Sequence, residues 1–231
     1  VKVDTPSGSD ERQRVIEAYE RRNDHGRYDP DRPDQIALAA ARADAWRAAL
    51  GAERRSLGRV VEVGCGTGAV ARWSVHQGAG PLLGVDLQEE RLRVAQAQLV
   101  APTYALADAR ALPLRDGAVD TAICSTLFSS VLDEDVACDI AREIDRVVAR
   151  DGMILWFDFF RRNPRNADVR PVGTEELGRW FPDWQPRLRR VVLAPPVARR
   201  LGRARRVADL LSGIPLLRTH YAGSLTRRPP S

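Results

Sequence analysis

The run Val60-Val61-Glu62-Val63-Gly64-Cys65-Gly66-Thr67-Gly68 passes from β-branched residues into three glycines spaced G-x-G-x-G. The β-branched half, taken with Arg59, reads as a short strand, and the residues behind the glycines, 69–77, read as a helix. The glycines therefore sit at a strand-to-helix turn, where they permit a tight reversal and let a ligand approach the backbone closely. Their spacing is not the G-x-G-x-x-G of a dinucleotide site, which weakens the case for a pyrophosphate at the helix N-terminus.

The pattern continues outward from this turn. Residues 81–85, 103–106, 119–124 and 153–159 read as further strands, with helices at 89–99 and 135–149. Strands alternating with helices at this pitch predict a parallel sheet with helices on both faces, an α/β fold whose ligands meet the carboxyl ends of the strands. Upstream, 10–23 carries Val15, Ile16 and Tyr19 at helical spacing, and the Ala-rich 35–50 reads as a second helix stopped by Gly51. A Pro- and Asp-rich loop lies between them. Downstream, Thr174 is expected to cap a helix to Trp180, 187–193 reads as a strand, 195–211 as an Arg-rich helix and 220–226 as a last strand. No internal repeat and no inter-domain linker is visible.

With 231 residues and 44% hydrophobic content, the chain is long and apolar enough for one α/β domain. No stretch approaches the ~20 consecutive apolar residues of a membrane helix. The N-terminus is polar and lacks the apolar core of a secretory signal, so a soluble cytoplasmic protein is expected. Net charge is +5, and Lys2 is the one lysine among 36 basic residues. Acidic residues are interspersed through most of the chain, which favours a compositional bias toward arginine over a nucleic-acid or phosphorylated partner. Cys65, Cys124 and Cys138 form no C-x-x-C pair, so neither a disulfide framework nor a zinc site is expected. His25, His76 and His220 are too scattered to suggest a metal site.

Two acids give the glycine turn a partner. Asp86 ends the second strand, 18 residues after Gly68, where a carboxylate can accept both hydroxyls of a ribose. Asp108 follows the third strand, where it can accept from an adenine amino group. Each alone also reads as a loop or capping acid.

In order and spacing, 62–68, Val85-Asp86, Ala107-Asp108-Ala109, Val119-Asp120 and 146–152 resemble the motifs of class I S-adenosylmethionine (AdoMet)-dependent methyltransferases, over about residues 55–160. The resemblance implies a Rossmann-like, doubly wound, seven-stranded sheet, mostly parallel with an antiparallel last strand. It implies a methyltransferase domain over 55–231, preceded at 1–54 by N-terminal helices and a lid, in one compact whole. It also implies AdoMet as cofactor and S-adenosylhomocysteine (AdoHcy) as product. Gly64, Cys65, Gly66 and Gly68 then form the cofactor loop, with Gly64 and Gly66 nearest the methionine end and Glu62 organising it. Asp86 holds the ribose, Leu87 packs on the adenine, Asp108 and Ala109 read its edge, and Ser125 lines the pocket beneath the sulfonium.

The acceptor is less legible. Cys124-Ser125-Thr126-Leu127-Phe128 carries neither the Asn/Asp-Pro-Pro-aromatic motif of amino methyltransferases acting on nucleic-acid bases nor the Pro-Cys of cytosine-C5 enzymes. Residues 156–166, 191–200 and 218–221 look similar to a bacterial subgroup often encoded near glycan or natural-product genes, which suggests a small-molecule acceptor. Oxygen is expected slightly ahead of nitrogen. Asp158 reads equally as a substrate-facing acid or base and as a loop acid satisfied by backbone amides or by Arg161 or Arg162. His220, with Tyr221, reads as a base or as a structural histidine. His25 and Tyr28 read as part of a lid or as ordinary loop. Trp180, Phe181 and Trp184 read as core ahead of pocket wall. An RNA substrate on arginines 187, 189, 190, 199, 200, 203, 205 and 206, and a non-catalytic AdoMet-binding protein, stand as the other readings. A monomer or homodimer is expected.

Overall fold

Two helices precede the sheet, α1 (Gly8–Asn23) and α2 (Pro33–Glu53). There follow β1 (Val60–Val63), α3 (Ala69–His76), β2 (Leu82–Asp86), α4 (Glu89–Gln98), β3 (Thr103–Leu106) and β4 (Val119–Ser125). A 3-10 turn (Phe128–Ser130) leads to α5 (Glu134–Val147), β5 (Val148–Phe159), α6 (Thr174–Trp180), β6 (Trp184–Leu193) and β7 (Arg218–Arg227). This computed structural model describes residues 8–23, 32–162, 166–193 and 218–229. The expectations for His25, Tyr28, residues 163–165 and the Arg-rich helix at 195–211 lie outside those residues.

The strands form one seven-stranded sheet in the order β3-β2-β1-β4-β5-β7-β6. β1 pairs in parallel with β2 and with β4, and β7 alone runs against both its neighbours. The chain builds outward from β1 in one direction and from β4 in the other. The carboxyl ends of β1 and β4 therefore flank the switch point at which open α/β sheets bind ligands.

Each face of the sheet has its own core. On one face Val61, Val63, Ile154 and Trp156 pack against the apolar stripe of α5, Ile140, Ile144 and Val147, and against α6. On the other, Val60, Ile123, Leu155 and Phe157 pack with α2 and α3. Trp46 anchors α2 there. It is wholly buried, and its indole N–H donates to the carbonyl of Trp156 at 3.0 Å. Trp180, Phe181 and Trp184 belong to the first core, where Phe128 stacks on Trp180 with ring centroids 4.9 Å apart.

Two helices, α2 and α5, differ from the sequence reading in ways that have a physical reason. α2 does not stop at Gly51 but runs to Glu53, and Arg54 takes the left-handed conformation (φ 52°), returning its N–H to the Gly51 carbonyl. A carboxylate–guanidinium contact of 2.8 Å between Glu53 and Arg187 of β6 holds that extra turn to the sheet. α5 was expected to run from 135 to 149. It starts at Glu134, with Asp133 as N-cap, and gives way at Val148, which already pairs with Val119 of β4. Adjacent β-branched Val147 and Val148 favour that change to strand.

Among the described residues, no helix is long and apolar enough to cross a membrane, and no three metal-ligating side chains cluster. The three cysteines are free.

Candidate active site

Backbone bonds from Gly64 and Cys65 to the Val85 carbonyl, 2.8 and 2.9 Å, tie the loop after β1 to the end of β2. Gly66 sits at φ 53°, and a Cβ there would lie 2.3 Å from the Arg91 guanidinium of α4. Gly68, at φ 82°, is the left-handed N-cap of α3. A side chain would strain both positions.

Asp86 links the loop to the next turn. Its carboxylate accepts the Gly66 N–H at 2.8 Å and the Gln88 N–H at 3.0 Å. Each oxygen keeps a further lone pair, as two ribose hydroxyls require. Beyond Asp86 an open cleft of about 510 Å³ is lined by Leu87, Leu106, Ala107, Asp108 and Arg110 on the sheet side, and by Arg12, Gln13 and Ile16 of α1. That volume lies in the range of small-ligand sites. Arg110 grips Asp108 through both its side chain, at 2.7 Å, and its backbone N–H, at 2.9 Å. Burial works to raise the Asp108 pKa, but these bonds and the Arg110 charge hold it below the usual value. Asp108 is therefore an ionised acceptor at neutral pH. Ala109, half-buried, follows it at the same end of the sheet.

Strand alternation turns Glu62 away from Val61 and Val63, toward α2 and α3. It is 2% exposed, and its Oε2 has no hydrogen-bond partner. Burial pushes its pKa up to about 8; the Arg42 charge opposes this and the Asp86 charge adds to it. Cys65 is buried beside it, and burial raises its thiol pKa, which makes it a poor nucleophile. Ser125, at the end of β4, accepts from Arg42 of α2 at 3.1 Å.

The Glu62 shift has a testable sign. A carboxyl whose pKa rises on folding contributes stability that is complete below about 4.5 and lost as pH rises through about 8. Asp158, raised to about 6, loses its share at lower pH, and His220, lowered to about 3, has an opposite effect that is finished by about pH 6.5. The melting temperature of the ligand-free protein is therefore expected to fall between about pH 6.5 and about pH 8. Glu62→Gln should flatten that decline; an unchanged slope would place its origin elsewhere.

Asp158 and His220 do not meet. Asp158 pairs with Tyr221 and Phe159 with His220, so the two side chains leave opposite faces of the sheet. Asp158 is 1% exposed and accepts the N–H groups of Ser129, 3.0 Å, and Phe159, 2.8 Å. His220 stacks on Phe157 and leans on Phe159, with centroids 4.7 and 4.0 Å away. The Thr219 hydroxyl donates to the Val192 carbonyl at 3.3 Å and lies 2.8 Å from His220 Nδ1. That arrangement puts the ring proton on Nδ1 and leaves Nε2 as an acceptor, buried and without a partner.

Two contributors escape a reading of the motifs. One is α1, which spans the cleft. Glu11 accepts from Arg14 at 2.7 Å and from the N–H groups of Leu132, 2.6 Å, and Asp133, 3.4 Å, at the start of α5. Gln88 donates to the Ile16 carbonyl at 3.0 Å, the Arg91 guanidinium lies 4.5 Å over the Tyr19 ring, and the Tyr19 hydroxyl meets Ser130 at 3.0 Å. The other is Arg42, a charge set among Leu38, Ala41, Ala45 and Trp46 on the apolar face of α2. The break in that stripe is the signal by which the sequence marks it.

Residues 61–156 match a family model described as a methyltransferase domain. The match runs from β1 to β5 and is to a methyltransferase domain. The domain is 33% identical over 109 residues to a ubiquinone/menaquinone biosynthesis C-methyltransferase of Acidiphilium cryptum, covering 44% of this chain and 42% of that one. It is 35% identical over 102 residues to a malonyl-[acyl-carrier protein] O-methyltransferase of Geobacter sulfurreducens, covering 42% and 37%. The chain thus spans about half or less of the length of these curated relatives. Among solved structures, the Burkholderia thailandensis 1,6-didemethyltoxoflavin-N1-methyltransferase, with bound 1,6-didemethyltoxoflavin and AdoHcy, aligns with a TM-score of 0.66 at 14% identity, over 99% of this chain and 94% of that one. At that identity the likeness is one of fold, and it extends beyond the methyltransferase domain to α1, α2 and the last two strands.

Proposed function

We propose that this protein transfers the methyl group of AdoMet to a small-molecule acceptor, with oxygen preferred over nitrogen, and releases AdoHcy. The observation that carries the reading is that Asp86 bridges Gly66 and Gln88 next to a cleft lined by Leu87 and Asp108. The residues suit the cofactor along its length. Asp86 takes the ribose hydroxyls, Leu87 the adenine face, Asp108 and Ala109 its edge, and the glycine loop the amino-acid end, where Glu62 holds an unpartnered oxygen. Bound AdoMet supplies a methyl group already activated by its sulfonium charge. The protein then contributes alignment, exclusion of water and a place for the acceptor's proton.

Preference for oxygen rests on His220. Its unprotonated Nε2 is buried without a partner among the described residues, an acceptor for which a substrate hydroxyl is the complementary donor once the site admits one. Burial, with the Arg42 charge, lowers its pKa to about 3, so it orients a hydroxyl more readily than it ionises one. Asp158, with both oxygens on backbone N–H groups, is a positioning residue for the turn after Ser125. Asp158→Asn is expected to cost ~1–2 kcal/mol of stability, because its amide NH₂ meets one of those N–H groups, while the pH dependence of turnover keeps its shape. Loss of a limb near pH 6 at unchanged stability would make Asp158 the base.

The function itself is tested by titrating AdoMet, AdoHcy and NAD into the protein by calorimetry. A panel of acceptors is then screened for a mass gain of one methyl group. Binding of NAD in place of AdoMet, or AdoMet binding without AdoHcy formation on any acceptor, would count against the proposal.

A further inference from the structure

β6 ends the sheet. It pairs with β7 on one side, and no described strand pairs with its other side. An exposed strand edge is a row of backbone donors and acceptors on which an extended chain can add. Pro186 has no N–H to offer, and Val192 leaves the extended region at φ 64°, so residues 187–191 form the regular part of that edge.

The charge on this end of the sheet is one-sided. β6 and β7 carry Arg187, Arg189, Arg190, Arg218 and Arg227, and neither strand contains an Asp, a Glu or a Lys. Arg187 is answered by Glu53 of α2 at 2.8 Å and Arg227 by Asp145 of α5 at 2.6 Å. Arg189 and Arg190 form no ion pair with a described residue. The Arg190 guanidinium lies 5.2 Å from the Phe160 ring centroid and 6.0 Å from that of Tyr221, and the two rings are 4.4 Å apart. Rings beneath the guanidinium restrict the side chain before any ligand arrives, so less rotamer freedom is lost on binding. Strand alternation puts Arg187 and Arg189 on the opposite face, where they line a groove of about 310 Å³ with Ala49 and Ala52 of α2.

We propose that the outer edge of β6 is a docking strand for an extended acidic segment of a partner protein. The segment adds to the sheet through backbone hydrogen bonds along 187–191. Its carboxylates meet Arg190 on one face and Arg189 on the other. A second copy of β6 is a poor occupant, because arginines would then oppose arginines across the pair. A nucleic acid answers the arginines but leaves the backbone edge unpaired. β6 lies across the sheet from β2 and β3, so this surface is independent of the AdoMet reading.

Fluorescence anisotropy with a labelled peptide of five Glu-Thr repeats tests the surface on the full chain. Wild type is expected to bind the peptide at about 50 mM salt and to bind it more weakly as salt rises. The double variant Arg189→Glu, Arg190→Glu should lose roughly 10-fold or more, and Arg189→Gln, Arg190→Gln should fall between it and wild type. Circular dichroism checks that both variants fold. A peptide methylated on alternate backbone nitrogens keeps its charge but loses ladder donors, and wild type should bind it roughly 10-fold less tightly. Equal binding of the methylated peptide overturns strand addition, and equal binding to the charge-reversed protein overturns the surface. No binding of the parent peptide at low salt overturns both. Tighter binding of an oligouridylate, lost in the same variant, assigns the arginines to nucleic acid and likewise overturns the proposal.

Discussion

Replacing Asp86 with alanine is expected to cost ~2–4 kcal/mol of AdoMet affinity, roughly 30- to 1000-fold in Kd. Two losses combine. The ribose hydroxyls lose a charged acceptor, and the N–H groups of Gly66 and Gln88 lose the carboxylate that holds them at 2.8 and 3.0 Å. The second loss frees the glycine loop from the β2–α4 turn, so the amino-acid end of the cofactor is weakened along with the ribose. Asp86→Asn keeps one acceptor oxygen and should fall between alanine and wild type. Calorimetric titration with AdoHcy measures all three. An alanine variant that binds as tightly as wild type would remove Asp86 from the site.

The second large effect is expected at Glu11→Ala. Glu11 is 1% exposed, and its removal leaves the Arg14 guanidinium without its carboxylate partner and the Leu132 and Asp133 N–H groups without an acceptor. Breaking a buried pair from one side costs several kcal/mol, and ~3 kcal/mol is expected here because Arg14 is partly solvated. The cost falls on the docking of α1, a local unit, so hydrogen exchange of the α1 amides reports it better than the melting temperature. Burial of Glu11 works to raise its pKa, but the Arg14 hydrogen bond, the Leu132 and Asp133 amides and the Arg14 charge together lower it below 4.5. The contribution is therefore complete above about 4.5 and lost as pH falls through the lower folded value. Wild-type α1 should lose protection in acid, and Glu11→Gln should show little of that dependence. Protection in Glu11→Ala equal to wild type would show that other contacts dock the helix.

Local signals account for what the sequence made legible. The glycine turn, the strands at its two sides and the acids after β2 and β3 are short-range features, each fixed by residues within a few positions. They gave the alternating strands and helices of the parallel part of the sheet, while the antiparallel last strand came from the resemblance to class I methyltransferases. What escaped depends on contacts between remote residues. Arg42 meets Ser125 across 83 positions, and Glu11 meets Leu132 across 121. The α2 terminus was misplaced because Gly51 is a sound local stop, whereas an ion pair with distant β6 continues the helix past it. Asp158 and His220 each read as a candidate acid or base; side-chain alternation across an antiparallel pair puts them on opposite faces of the sheet, and that register is set by β7 as a whole.

The bridge that α1 makes has a kinetic consequence. Its bonds reach α4 on one bank of the cleft and the start of α5 on the other, so it is moored at both ends of its reach. Release of one mooring would widen the cleft for a nucleoside. Where such lifting limits entry, observed association rates level off at high ligand concentration, at the frequency with which the helix lifts. If the proposed spent cofactor leaves by the same route, its departure sets a ceiling on turnover that a faster chemical step would not raise.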